Sequence, residues 1–134
     1  MTTDEARSAL VQNLLAKTGE ALRMARLSLE ESPSNAVNRC YYACFYTASA
    51  VLCAEGRQFV RHTGLRSAVH KHLVQTGRVS KDIGRAYDSI MKARESADND
   101  AMESWTEQHA QETIASAELV VAALRQLLGS VNLG

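Results

Sequence analysis

Proline occurs once in the 134 residues, cysteine three times, and Phe, Trp and Tyr together supply only 5% of the chain. That scarcity argues against a many-turned β-sandwich, which spends prolines and glycines on its turns and aromatics on its core. Cys40, Cys44 and Cys53 are odd in number and crowd one short stretch. They suit reduced, buried thiols rather than a disulfide framework. No apolar run, Leu119 to Leu124 included, approaches the roughly 20 residues that cross a bilayer, so no membrane span is expected. The N-terminal Met-Thr-Thr-Asp-Glu lacks the basic patch and apolar stretch of a secretory signal, and a cytoplasmic location is expected. There is no Walker loop, dinucleotide-binding glycine fingerprint, serine nucleophile elbow or zincin helix, and those enzyme classes drop out. Repeats and low-complexity segments are absent too.

What remains is a chain with 46% hydrophobic and 22% charged residues, enough for one core and one solvated surface. A single domain over 1–134 is expected. The formal charge is zero, but it is unevenly spread. Residues 1–55 hold five Lys/Arg against six Asp/Glu, residues 56–94 hold nine against two, and residues 95–134 hold one against seven, for nets of −1, +7 and −6. The basic middle, with His62, His70 and His72, can meet phosphate. Equally, the two unlike segments can be neighbouring helices that pair charges across a seam.

Apolar residues recur at three- and four-residue steps through most of the chain. Leu10, Leu14, Ala21, Ala25 and Leu29 predict an amphipathic helix from about 3 to 30, with Thr2 and Glu5 as a capping box. Ser32-Pro33 breaks it and starts a second helix to about 55, with Val37, Cys40, Tyr41, Cys44, Ala48, Val51 and Leu52 facing the core. A short helix is predicted near 65–75, stopping at Gly77. A fourth runs from a Ser80 cap to about Ala97, with Ile83, Tyr87, Ile90 and Met91 inward and Gly84 weakening it slightly. Asp100 and Glu103 repeat the capping pattern before a last helix carrying Ala110, Ile114, Ala117, Val121, Leu124 and Leu128. No segment alternates with the period of a strand. The expected fold is all-α, an up-and-down bundle of four long helices and one short one, with an apolar stripe that a second copy can cover.

Asn38-Arg39-Cys40-Tyr41-Tyr42-Ala43-Cys44-Phe45-Tyr46 carries the most chemistry. A helix puts Arg39, Tyr42 and Tyr46 on one face, with Arg39 and Tyr46 about 10 Å apart along the axis. A guanidinium offers a planar fork to phosphate, and a phenol donates a hydrogen bond or stacks on a base. The competing reading has Arg39 paired with Glu103 or Asp98 and the tyrosines serving as packing. Arg94 lies in line with Tyr87 and Ile90 and demands a partner, for which Asp98 is available. Cys40 and Cys44 have ligand-like spacing but lack a completing pair, and His70 and His72 cannot share a helix face, so neither pair makes a metal site. His62 stands in the connection beside Thr63 and Gly64, where loops deliver functional groups.

These residues resemble the HEPN-domain superfamily, in its small single-domain branch. The 38–46 stretch is similar to the family's Arg-Ala-Tyr-Tyr-Ala-x-Phe-His helix. Phe59-Val-Arg-His-Thr-Gly64 is similar to its Phe-x-x-His-x-Gly connection, Lys71-His-Leu-Val-Gln-Thr-Gly77 to a Lys-x-Phe-Val-Lys-Thr-Gly segment, and Arg94-Glu-Ser-Ala-Asp98 to an Arg-x-x-Ala-Asp-Tyr end. The resemblance covers roughly residues 35–99. It implies a dimeric helical bundle, and either a metal-independent endoribonuclease toxin paired with a minimal nucleotidyltransferase antitoxin or a non-catalytic module docking such a partner.

The family signature, an arginine and then a histidine, falls here on Arg39 and Tyr46; Asn99 also replaces the tyrosine after Ala-Asp. In the expected chemistry the histidine moves a ribose 2′-hydroxyl proton and the arginine holds phosphate charge. A phenol, with an ordinary pKa of about 10, is a poor base near neutrality. The resemblance thus makes Arg39, Tyr46 and His62 the candidate catalytic residues. Arg39, Tyr42, Arg61 and Arg94 are the candidate RNA- or nucleotide-binding residues. No metal or cofactor is expected.

Overall fold

The computed structural model describes residues 3–57, 62–99 and 105–129, without the side chains of 62, 63, 98 and 99. Four long helices, α1 (Thr3–Ser28), α2 (Pro33–Ala54), α4 (Lys81–Asn99) and α5 (Glu107–Leu128), enclose one core, and a short α3 (His62–Val69) completes the set. No strand occurs among the described residues.

Three of the helices, α2, α4 and α5, begin where a side chain satisfies a first-turn amide. Ser32 Oγ accepts the Asn35 N–H at 3.3 Å ahead of Pro33, whose fixed φ suits the first helical position. Ser80 Oγ accepts the Ile83 N–H at 3.2 Å and opens α4 as expected. For α5 the cap is Thr106, whose Oγ1 accepts the His109 N–H at 3.1 Å. The last helix therefore starts later than the Asp100–Glu103 pattern suggested; that pattern, like Thr2, lies outside the described residues. Gly56 and Gly77 adopt positive φ of 85° and 78°, the left-handed conformation that ends a helix at least cost in glycine.

α2 is the central element, packing against α1, α4, α5 and α3. Its apolar residues run around most of its circumference, so Val37, Tyr41, Cys44, Val51 and Leu52 are all buried. Val11 from α1, Leu65 from α3, Tyr87 from α4 and Leu124 from α5 meet them in the main core. Burying one such side chain contributes about 1.5–3 kcal/mol.

Antiparallel pairing of α1 and α2 follows from the short turn between them. Arg7 and Leu10 near the start of α1 share a cavity with Cys53 and Gly56 at the end of α2. The register sets Thr18 beside Thr47 and groups Ala21 with Ala43. This register brings α1 onto the Arg39 face.

α3 begins at His62, earlier than the expected 65, and two further features depart from the sequence reading. The short helix winds into a π turn over His70–Val74, with Gln75 N–H donating to His70 O at 2.8 Å. Gly84 on α4 lies under this turn: a Cβ there would stand 3.0 Å from Val74 Cγ2 and 3.2 Å from His70 Cε1. The glycine allows a close approach rather than merely weakening α4.

Glu118 pairs with Arg26 at 3.4 Å, while Arg66, Arg78 and Arg85 take Asp88, Glu55 and Asp82. Glu95, from the acidic last third, adds electrostatically to the stabilisation of the Arg66 cation.

Candidate functional site

Arg39 and Tyr46 sit two turns apart on α2, and both line a groove of about 230 Å³ against α1. The opposite wall is Lys17, Glu20, Ala21 and Met24, a single face of α1 at helical steps. Ala21 is 4% exposed and supplies the floor, while Lys17 and Glu20 are exposed at the rim.

Arg39 is half-buried. Its Nε and Nη2 both donate to Asn38 Oδ1, at 3.2 and 2.8 Å, and its Cζ lies 4.9 Å from the centroid of the Tyr42 ring. The aromatic face and the neighbouring amide orient the guanidinium without neutralising it. Among the described residues Arg39 makes no ion pair with a carboxylate. Asp98 and Glu103, the partners weighed for it, lie outside the described side chains.

Tyr42 and Tyr46 stack obliquely with centroids 5.9 Å apart, and the Lys17 ammonium stands 5.7 Å from the Tyr46 centroid. Arg94 reaches in from α4, its Cζ 4.8 Å from the Tyr41 centroid and 6.0 Å from that of Tyr42. The structure therefore gathers Arg39, Tyr42, Tyr46 and Arg94 around one aromatic cluster, with Tyr42 touched from α2 and α4. Arg94 is not part of the groove wall and faces the tyrosine layer beneath it.

His62 opens α3, but its side chain, and Arg61 entirely, lie outside the described residues. Lys17 and Glu20 escaped the sequence reading because they belong to another helix. The short Ser32-Pro33 turn signals that α1 is the antiparallel neighbour of α2, but not the register that sets these two residues opposite Arg39.

The cysteines are buried free thiols. Burial pushes Cys40 up to about 12, with the Glu118 carboxylate adding to it, and pushes Cys44 higher still. Both stay protonated at neutral pH and make poor metal ligands. Among the described residues no group of three His, Cys, Asp or Glu side chains converges as a metal site would require. Burial likewise raises Tyr41 to about 12, against a smaller opposing effect of Arg94, so Tyr41 is a packing residue with a protonated hydroxyl.

A second polar cluster, not anticipated from spacing, joins α3, the π turn and α4. Arg66 Nε and Nη2 hold Asp88 Oδ1 and Oδ2 at 2.7 and 3.2 Å, and His70 Nε2 lies 2.9 Å from Oδ1. It fastens the short helix to the bundle.

Comparison with known proteins places the chain in a family and identifies a solved structure with the same fold. The family model described as "HEPN domain" matches residues 11–127. A "UPF0332 protein" of Thermotoga maritima is 36% identical over 110 residues, covering 81% of this chain and 83% of the relative. A protein of Methanocaldococcus jannaschii named "Putative toxin MJ0605" is 27% identical over 122 residues, covering 90% of each chain. The crystal structure of TT1696 from Thermus thermophilus superposes with a TM-score of 0.74 at 19% identity, over 88% of this chain and 98% of that one, and so shares the fold. The family match spans most of the chain, and the chain belongs to the HEPN-domain family.

Proposed function

We propose that this chain is a HEPN toxin-like protein that binds RNA through the Arg39 groove as a homodimer, and cleaves it as a metal-independent endoribonuclease. The observation that carries the reading is Arg39 itself. It is held in place by Asn38 and Tyr42, at the edge of a groove, with no carboxylate paired to it among the described residues. A pre-positioned, unneutralised guanidinium is what a phosphodiester needs. Tyr42 and Tyr46 add aromatic surface for an unstacked base. Arg57, Lys71 and Lys81 are exposed cations of the basic middle, available to further phosphates of a bound chain.

The toxin naming of the M. jannaschii relative supports pairing with an antitoxin, and the resemblance of 35–99 to its family makes a minimal nucleotidyltransferase the partner to test. The test is a ribonuclease assay on purified protein in chelator, beside Arg39→Ala. Cleavage by the parent, reduced at least ~100-fold in the variant, is expected. Cleavage that is absent, or untouched by the substitution, removes the catalytic reading.

A second reading, a non-catalytic helical module docking a nucleotidyltransferase, is favoured by one observation: Tyr46 stands where the family pattern has histidine. Co-purification with such a partner, without salt-sensitive RNA binding, would support it over the first.

A further inference from the structure

The geometry points to Glu20 as the proton-accepting residue of the groove and Lys17 as its second phosphate-binding cation, so that α1 supplies what the missing histidine does not. This rests on the endoribonuclease reading above. Four ionisable side chains of three kinds line the same groove of about 230 Å³: the carboxylate of Glu20, the cations of Lys17 and Arg39, and the phenol of Tyr46. Among the described residues no ion pair joins Glu20 to either cation, so the charges are set around the space rather than cancelled across it.

The roles follow from the chemistry of each group. An ammonium and a guanidinium are already protonated near neutrality and bind charge rather than take protons. A phenol near neutrality holds its proton and is suited to giving it up. A carboxylate is an acceptor of protons and hydrogen bonds, and Glu20 is the one carboxylate lining the groove. Lys17 and Glu20 are one turn apart on α1, so a phosphate held by Lys17 and Arg39 brings the adjoining ribose to Glu20. At about 230 Å³ the groove is on the scale of one nucleotide unit, and single-stranded RNA, whose sugar and base are free to enter it, is the substrate class we assign.

The step balances without any further reactant. Glu20 takes the proton of the ribose 2′-hydroxyl, and the 2′-oxygen forms a bond to phosphorus. The bond from phosphorus to the 5′-oxygen breaks, and that oxygen takes the Tyr46 phenolic proton. A 2′,3′-cyclic phosphate and a 5′-hydroxyl are left, and Glu20 and Tyr46 return to their starting states by proton exchange with water. Lys17 lies over the Tyr46 ring, its ammonium 5.7 Å from the centroid, so the cation and the phenol face the same space.

The experiment is cleavage and binding of a labelled single-stranded RNA by the full chain and by Glu20→Gln, Glu20→Asp, Lys17→Met and Arg39→Ala. Glu20→Gln should lower kcat at least ~100-fold with RNA binding unchanged or tighter. Glu20→Asp should keep part of the activity. Lys17→Met should weaken binding and reduce the salt slope by about one. A Glu20→Gln variant cleaving at the parent rate overturns the assignment; if Arg39→Ala is inactive beside it, the endoribonuclease reading survives alone. Faster cleavage by Glu20→Gln would make the carboxylate a mere repulsive charge and overturns it equally. A parent that binds RNA through Arg39 without cutting it overturns the inference and leaves only binding.

Discussion

Arg66 grips Asp88 at two points, at 2.7 and 3.2 Å, while His70 approaches the same carboxylate at 2.9 Å. Three residues from α3, the π turn and α4 are thereby tied at the edge of the bundle. Burial alone would raise the Asp88 pKa, but the hydrogen bonds from Arg66 and His70 outweigh it and hold the carboxyl below its ordinary 3.8.

A depressed folded value means that the stabilisation is fully present above the unfolded value and fades as pH falls through the lower, folded one. Asp88→Asn should therefore cost up to about 1 kcal/mol at neutral pH, the range of a partly exposed pair. The gap between parent and variant should close in acid. Urea unfolding of both proteins across that range checks it; a gap that widens in acid would contradict the ion-pair account.

Thr18 and Thr47 meet inside the α1–α2 seam, with Oγ1 atoms 3.0 Å apart and both side chains fully buried. Thr18 donates to Leu14 O at 3.0 Å, and Thr47 Oγ1 lies 2.8 Å from Ala43 O. Replacing one hydroxyl strands part of the other's capacity, at about 1–2 kcal/mol. Thr18→Val with Thr47→Val should cost less than the two single changes combined, read as a double-mutant cycle in urea.

At Gly84 two effects of alanine oppose each other. Helix propensity favours it by about 1 kcal/mol, yet its Cβ would press on Val74 and His70. Overpacking of about 1–3 kcal/mol should win and lower Tm. Adding Val74→Ala should recover most of the loss, and a stabilising single Gly84→Ala would show the π turn yielding freely.

Cys40 and Cys44 are fully buried, and burial drives both thiols up. Native protein treated with an alkylating reagent should carry no label at either residue, and denatured protein should carry it at both, as read by mass spectrometry of peptides. Native labelling at Cys44 would mean that the core opens on the reagent's timescale.

Much of the bundle was legible beforehand because each helix advertises its own inward face. Leu10, Leu14, Ala21 and Ala25, or Ala110, Ile114, Ala117 and Leu124, recur with the helical period, and Ser32, Pro33 and Ser80 mark starts through bonds to amides three residues on. The π turn was not legible: the phase shift of one extra residue needs several apolar positions on either side to be read, and the short segment, which lies close over Gly84, has too few. The α5 start was missed because the Asp100 pattern and Thr106 offer equally good capping chemistry. For the site, Arg39, Tyr42 and Tyr46 were found together because they share one helix, and Arg94 because a cation on an apolar stripe must find a partner.

By itself, then, the chain's order of residues determined an all-helical bundle, three sequestered thiols and an arginine–tyrosine face on α2. These are local properties, set by hydrophobic period and by chemistry within two turns. Only the tertiary structure decided that Lys17 and Glu20 stand across from Arg39, that Arg94 lies on the tyrosine rings, and that Glu118 answers Arg26. Such juxtapositions depend on the register between helices, and register is fixed by side chains packing across a seam, as Ala21 does on Ala43, rather than by any pattern within one helix.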